Sequence, residues 1–201
     1  MIVWLNGAFG SGKTTTAFEL HRRIPDSFVY DPENAGFFIR KNVPSEMTRS
    51  DFQDYPMWRE CNYSMLRHMN AEYGGVIIVP MTIVNADYFR EIAGRLREDG
   101  AIVHHFALCA SKEVLLKRLK TRGEGGQSWA ARQIDRCIDG LSQPVFRQHL
   151  DTDSMTLEDV VSRIASECGL PILPDERGPF KKSWDRLATK VKHIRFLADG
   201  E

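Results

Sequence analysis

Apolar positions along the chain switch repeatedly between two spacings. Short, nearly continuous apolar runs, rich in β-branched residues, fall at 2–6, 28–31, 76–80, 102–108 and 149–152 and read as strands. The first and third are almost wholly apolar, as expected of strands covered on both faces. Between the runs, apolar residues recur at three- and four-residue intervals. Ala17, Leu20 and Ile24 mark one helix face, and Trp58, Cys61, Met65, Met69 and Tyr73 mark a second, read as a core stripe. Further helices are predicted over 87–98, 112–122, 128–138 and 157–168, with Gly123 and Gly169 as C-caps. Strand and helix therefore alternate throughout, which is the order a parallel sheet with crossover helices requires. The predicted class is α/β, three layers around a five-stranded parallel sheet.

Two stretches break the pattern. Arg122-Gly123-Glu124-Gly125-Gly126-Gln127 is polar, glycine-rich and flanked by arginine-bearing helices, so residues 122–140 read as a hinged lid. Pro171, Pro174 and Pro179 prevent a continuous helix and make 169–182 a connector. Beyond it, Trp184, Leu187, Val191 and Ile194 fall at helical spacing among Lys181, Lys182, Arg186, Lys190, Lys192 and Arg195. A C-terminal basic amphipathic helix over 183–197 is predicted, either docked on the domain or lying in a membrane interface. The chain thus divides into a main domain, 1–170, and a connector with helix, 171–201.

Gly7-Ala8-Phe9-Gly10-Ser11-Gly12-Lys13-Thr14 fits G-x-x-x-x-G-K-[ST], with a strand before it and a helix after it. Glycines let the backbone curl so that successive N–H groups face phosphate oxygens, and the helix N-terminus that follows, with Thr15 in its first turn, favours negative charge. Lys13 is expected to reach the β and γ phosphates of ATP, and the Thr14 hydroxyl to bind magnesium. Many P-loop proteins end their third strand on a magnesium-binding aspartate, but here the strand runs into Pro80-Met81-Thr82, with Met81 and Thr82 on the substrate side. There is no N-K-x-D segment, and the D-x-x-G match at 175–178 lies in the connector, so a guanine-nucleotide switch is excluded.

The carboxylate expected to support the metal or accept a proton is Asp31, at the end of the second strand. Before Pro32 it is equally suited to cap the next helix, and the two roles are compatible. Arg118 and Arg122, four residues apart, lead into the glycine-rich loop, and Arg132 and Arg136 follow it. Such guanidinium groups either serve a closing lid or sit in surface ion pairs. Arg40 is a candidate for an anionic part of the acceptor.

Composition narrows the partners. Lysine plus arginine and aspartate plus glutamate each number 27, so no net charge draws the chain to nucleic acid. Cys61, Cys109, Cys137 and Cys168 lack metal-ligand spacing and read as reduced thiols in or near the core. The N-terminus lacks a signal-peptide pattern and the longest apolar run is far short of the ~20 residues a membrane span needs, so a cytoplasmic protein is expected.

Trp4-Leu5-Asn6 with the P-loop, Tyr30-Asp31-Pro32-Glu33, Asp51-Phe52-Gln53-Asp54-Tyr55-Pro56, Ile78-Val79-Pro80-Met81-Thr82, Val103-His104-His105-Phe106 and Gln133-Ile134-Asp135-Arg136-Cys137 together resemble the tunicamycin resistance protein family. The resemblance runs nearly end to end. It implies an ATP- and magnesium-binding fold like that of small-molecule kinases, with Arg118 over the adenine, Arg122 near the phosphates, and a nucleoside antibiotic as partner. Phosphorylation of a hydroxyl on the drug, ATP-dependent sequestration of it, and a metabolic nucleoside or sugar kinase all stay open at this point.

Overall fold

In the computed structural model, which describes residues 1–178, 180, 181, 184 and 185, β1 (Ile2–Gly7) is the centre of the sheet. It pairs in parallel with β3 (Val76–Pro80) on one side and β4 (Val103–Cys109) on the other, Ile2 lying opposite both Ile77 and Val103. The edges are β2 (Ser27–Val29) and β5 (His149–Asp151), giving the order β2-β3-β1-β4-β5. With partners on both edges and helices on both faces, β1 and β3 have no side turned to water, and every residue in both is buried.

One face carries α1 (Lys13–Arg23) and α9 (Leu157–Glu167), which bury Ala17, Leu20, Val161 and Ile164 against Val3, Leu5, Ile78 and Phe106. The other carries α3 (Pro56–Glu72) and the helix from 86 to 98, made of α4 (Ala86–Phe89), a π-helical turn (Arg90–Gly94) and α5 (Arg95–Glu98). Trp4, Ile77, Leu66, Phe89 and Leu96 form the core there. The remaining helices are α2 (Glu33–Lys41), α6 (Lys112–Lys120), α7 (Trp129–Arg132) and α8 (Ile134–Leu141).

Several expectations change. The buried residues of α3 are Trp58, Arg59, Asn62, Tyr63 and Leu66; of the predicted stripe Trp58 is buried and Met69 and Tyr73 pack partly against the core, while Cys61 and Met65 are exposed. Arg59 can be buried because its guanidinium meets Glu91 (2.6 Å) and the Gln53 carbonyl (2.6 Å) and lies over the Tyr88 ring. Of the other cysteines, Cys137 and Cys168 are buried and Cys109 half-buried. The predicted helix over 128–138 breaks at Gln133 into α7 and α8. β2 ends before Tyr30, although the Tyr30 N–H still reaches the Ile78 carbonyl (2.9 Å). Gly123 (φ +82°) and Gly169 (φ +64°) follow α6 and α9 in the left-handed conformation, as C-caps do.

The connector is strapped to α1. Leu173 exchanges two hydrogen bonds with Arg23, through its N–H to the Arg23 carbonyl (2.8 Å) and its carbonyl from Nε (2.7 Å). Arg177 pairs with buried Glu19, with Asp175 (2.7 Å) and with Asp185 (2.8 Å). The predicted basic helix over 183–197, and the membrane contact proposed for it, lie outside the described residues apart from Trp184 and Asp185. No helix among the described residues is long and apolar enough to cross a membrane.

At the carboxyl ends of the strands one side chain joins three of them. Asn6 is fully buried; its Oδ1 accepts from the Gly7 N–H (2.8 Å) and the Ile83 N–H (3.0 Å), and its Nδ2 donates to the Ile83 carbonyl (2.7 Å). The same amide faces His105 Nε2 on β4 (3.2 Å). Because His105 Nδ1 meets the Arg147 carbonyl (3.3 Å), which can only accept, Nδ1 carries the proton and Nε2 accepts from Asn6. Burial lowers the His105 pKa to about 4, so the ring stays neutral.

Asn6→Ala strands the Ile83 N–H and carbonyl and the Gly7 N–H, and at about 1–3 kcal/mol per orphaned buried group it should cost roughly 3 kcal/mol or more. Urea unfolding measures this, and a loss near zero would show the network to be dispensable. His105 titrates near 4 when folded and near 6.5 when unfolded, so its contribution is present above 6.5 and lost as pH falls toward 4. The acid-induced drop in urea midpoint between these values should shrink in His105→Gln.

Candidate nucleotide and acceptor site

The loop between β1 and α1 folds as it does because three of its residues lack a Cβ. Gly7, Gly10 and Gly12 have φ of +148°, +87° and +98°. A Cβ on Gly7 would lie 2.5 Å from Ser11 Oγ and 2.7 Å from the Leu108 carbonyl, so the loop is pressed against the end of β4. Gly12 precedes α1 directly, and no side chain among the described residues caps that helix. Its first N–H groups are therefore turned to the loop.

The Lys13 ammonium donates to the carbonyls of Gly7 (2.9 Å) and Ala8 (3.0 Å), and burial lowers its pKa to about 8. Ser11 Oγ is buried without a hydrogen-bond partner. An uncapped helix start, a half-buried cation and an orphaned hydroxyl around one hollow fit a phosphate chain.

Because β1 is central, the loop opens toward both halves of the sheet. On the β4 and β5 side a cavity of about 230 Å³ is bounded by Gly10, Ser11, Gly12 and Thr15, with Arg118 and Arg122 opposite. Arg118 is aimed by Thr152, donating to its hydroxyl (3.1 Å) and its carbonyl (2.7 Å), while Thr152 Oγ1 is fixed by the Cys109 carbonyl (2.9 Å). Burial lowers the Arg122 pKa, with Glu124 acting the other way and Arg118 adding to the fall.

On the β2 and β3 side lies a second cavity, about 280 Å³, walled by Phe9, Phe37, Phe52, Trp58, Met81 and Trp129, with Arg40, Asp51, Gln53 and Thr82 among its polar groups. Its walls are set by long-range hydrogen bonds. Trp58 Nε1 donates to the Pro32 carbonyl (2.9 Å) and the Tyr30 hydroxyl to Asn62 (2.8 Å), pinning both neighbours of Asp31 to α3. Trp4 Nε1 donates to the Met81 carbonyl (3.1 Å) and the Thr82 hydroxyl to the Gly7 carbonyl (3.0 Å), tying the end of β3 to the P-loop. Phe52 lies on α2 at Gly36, where a Cβ would come within 2.4 Å of its ring, and the Arg40 guanidinium sits over the same ring (4.4 Å). The glycine-rich stretch leads into α7, capped by Ser128 (3.2 Å), which brings Trp129 edge-on against Phe9 (4.9 Å).

Of the residues singled out from sequence, Gly10, Ser11, Gly12, Thr15, Arg118 and Arg122 meet at the first cavity, and Phe9, Arg40, Met81 and Thr82 at the second. Gly7, Ala8 and Lys13 join the two, and Thr14 stands in the first turn of α1. Asp31 Oδ1 accepts from the Glu33 N–H (3.0 Å) at the start of α2, whose N-cap position is Pro32, and Asp31 is not among the residues lining the second cavity. Arg136 is ion-paired with Asp51. Asp51, Gln53, Trp58, Trp129 and Thr152 are not singled out by the sequence as site residues: Trp58 reads there as core, and Asp51 and Gln53 enter only through the family resemblance. Asp51 and Gln53 lie in irregular chain around a single 3-10 turn (Phe52–Asp54), where no periodicity signals a site.

A family model described as an AAA domain matches residues 2–144. The solved tunicamycin resistance protein of Deinococcus radiodurans is 33% identical, with a TM-score of 0.73 over 87% of this chain and 99% of that one. Two structures share the fold at low identity. A sugar kinase from a Janibacter species is 16% identical (TM-score 0.59; 84% of this chain and 94% of that one). The APS kinase of Mycobacterium tuberculosis, solved with AMPPNP and APS, is 14% identical (TM-score 0.55; 84% and 96%). No curated protein sequence matches the chain. With a third of its residues shared over nearly the whole of the Deinococcus protein, the chain belongs to the tunicamycin resistance protein family and has its kinase-like P-loop fold.

Proposed function

We propose that the protein transfers the γ-phosphoryl group of ATP to a hydroxyl of tunicamycin. The observation that carries this reading is the pair of cavities meeting at one P-loop, the first lined by phosphate-loop backbone and two arginines, the second mostly aromatic with a few convergent polar groups. A donor and an acceptor held on opposite sides of Gly7 and Lys13 would present their reacting atoms to each other.

In this reading the P-loop N–H groups and Lys13 bind the phosphates, Arg118 flanks the base and Arg122 the phosphate chain. Thr14 and Asp31 are the residues that would hold magnesium, which supplies neutralisation of the phosphate charge. Among the described residues no cluster of three or more His, Cys, Asp and Glu side chains that could hold a metal is present. The acceptor oxygen bonds to the γ phosphorus as the bond to the bridging oxygen breaks, ADP departs, and the hydroxyl proton passes to a nearby carboxylate. Trp129 against Phe9 keeps water from the junction. ATP as donor agrees with a cytoplasmic location, and any contact with the inner membrane surface would fall to the C-terminal segment.

Incubation with ATP, magnesium and tunicamycin should yield drug heavier by one phosphate and an equal amount of ADP, read by mass spectrometry. Lys13→Ala should lower kcat/KM by about 10²-fold or more. Unmodified drug after exhaustive incubation would count against transfer and favour sequestration.

Binding should also depend on pH with a definite sign. Lys13 is charged below about 8 in the free protein, and bound phosphates would raise its pKa. Above 8, binding must take up a proton, so ATP affinity should fall by up to about tenfold per pH unit. Calorimetry from pH 7.5 to 9.5 measures the slope, which should flatten in Lys13→Ala.

A further inference from the structure

Resting on the phosphotransfer reading, we propose that Asp51 is the carboxylate that receives the acceptor hydroxyl, and that Arg136 acts through it as a positioning residue. The argument begins from hydrogen-bond capacity. An ionised carboxylate offers roughly four lone-pair directions. Among the described residues Asp51 Oδ2 accepts from Gln53 Nε2 (2.8 Å) and from Arg136 Nη2, and Oδ1 accepts from the Gln53 N–H (3.2 Å). One direction on Oδ1 is left, on a side chain that is itself buried and lines the acceptor cavity.

Of the other polar groups lining that cavity, Arg40, Ser50, Gln53 and Thr82 are cationic or neutral, and Glu33, the second carboxylate there, is exposed at the start of α2. The Thr82 hydroxyl donates to the Gly7 carbonyl, Gln53 Nε2 to Asp51 itself, and Gln53 Oε1 accepts from the Val84 N–H (3.4 Å), and none of these neutral groups is a base. Arg40 can only donate, and a hydroxyl about to attack phosphorus must give its proton to an acceptor. Of the two carboxylates that line the cavity, Asp51 and Glu33, Asp51 is the buried one, and Asp31 does not line it.

The turn that carries Asp51 is held rigidly. Arg59 Nη1 donates to the Gln53 carbonyl (2.6 Å), and its Nε is anchored on Glu91 (2.6 Å). Arg136 comes from α8, on the far side of the lid loop, so the direction of the carboxylate depends on how that helix is seated. The lid therefore meets the acceptor side twice, by Trp129 on Phe9 and by Arg136 on Asp51. Its closure would aim the carboxylate as well as exclude water. In the transfer step the acceptor O–P bond forms while the P–O bridge breaks, the bridging electron pair leaves with ADP, and the hydroxyl proton passes to Asp51 and on to solvent.

Steady-state kinetics with ATP and tunicamycin test this. Asp51→Asn should lower kcat by about 10²-fold or more while changing the ATP dissociation constant by less than about twofold. Arg136→Met should raise KM for tunicamycin by about tenfold and lower kcat, with Arg136→Lys recovering part of both. Wild-type kcat and KM in Asp51→Asn would overturn the proposal. If thermal melting shows Asp51→Asn to be unfolded, the arginine series decides: losses shared equally by ATP and tunicamycin, or equal in the Lys and Met variants, would overturn it. If the wild-type protein transfers no phosphate, the functional reading fails separately, and binding carries the test. Quenching of cavity tryptophan fluorescence by tunicamycin should then be at least about tenfold weaker in Asp51→Asn, since a charge-assisted hydrogen bond is lost. Identical titrations of the two proteins would overturn the proposal.

Discussion

The site depends on the Asn6 side-chain amide. A parallel sheet holds its strands together along their length, but at the carboxyl edge the hydrogen-bond ladder stops and each chain leaves in its own direction. Asn6 continues the pairing past that edge, taking the N–H groups of Gly7 and Ile83 and giving its own hydrogens to the Ile83 carbonyl and His105. The start of the P-loop, the segment after β3 and β4 are thereby set relative to one another. The cost of burying an amide is met because its hydrogen bonds are made, and leaving it half satisfied would be worse than an apolar residue.

Around this point the molecule separates two kinds of environment. The first cavity is built from phosphate-loop backbone, from Arg118, which Thr152 aims, and from Arg122, a lining suited to a highly charged ligand. The opposite side is aromatic, with its charges largely in pairs or lying on rings: Asp51 with Arg136, Arg40 on Phe52, Arg59 with Glu91. Such pairing suits a ligand whose binding relies on stacking and directed hydrogen bonds more than on net charge. The stretch from Arg122 to Arg136 touches both halves, with Arg122 at the first cavity, Trp129 at the second, and Arg136 paired with Asp51.

Much of the fold was legible locally. The strands at 2–6 and 76–80 are apolar runs because burial on both faces leaves no polar positions, and the P-loop declared itself because its chemistry lies in contiguous residues. The α3 stripe misled because period alone does not say which side chains can be accommodated: Arg59 and Asn62 turn inward since Glu91, Gln53, Tyr30 and Trp58 satisfy them, leaving Cys61 and Met65 outside. Asp31 reads in the sequence as a cap with a second role open; in the structure Pro32 takes the N-cap position, and Asp31 accepts from the Glu33 N–H one residue outside it.

By itself, the sequence determined the α/β class, the order of its elements, the phosphate loop and the family, because each is written in short-range spacing or contiguous motif. Only the tertiary structure decided which groups face the acceptor side. Asp51 stands 85 residues from Arg136, and the contact between them forms only when the chain from α2 to α3 and helix α8 pack onto the same end of the sheet. Pairing at that separation carries no local period. It arises from burial, which leaves a carboxylate stable in this cavity only where a guanidinium and an amide are brought to meet it.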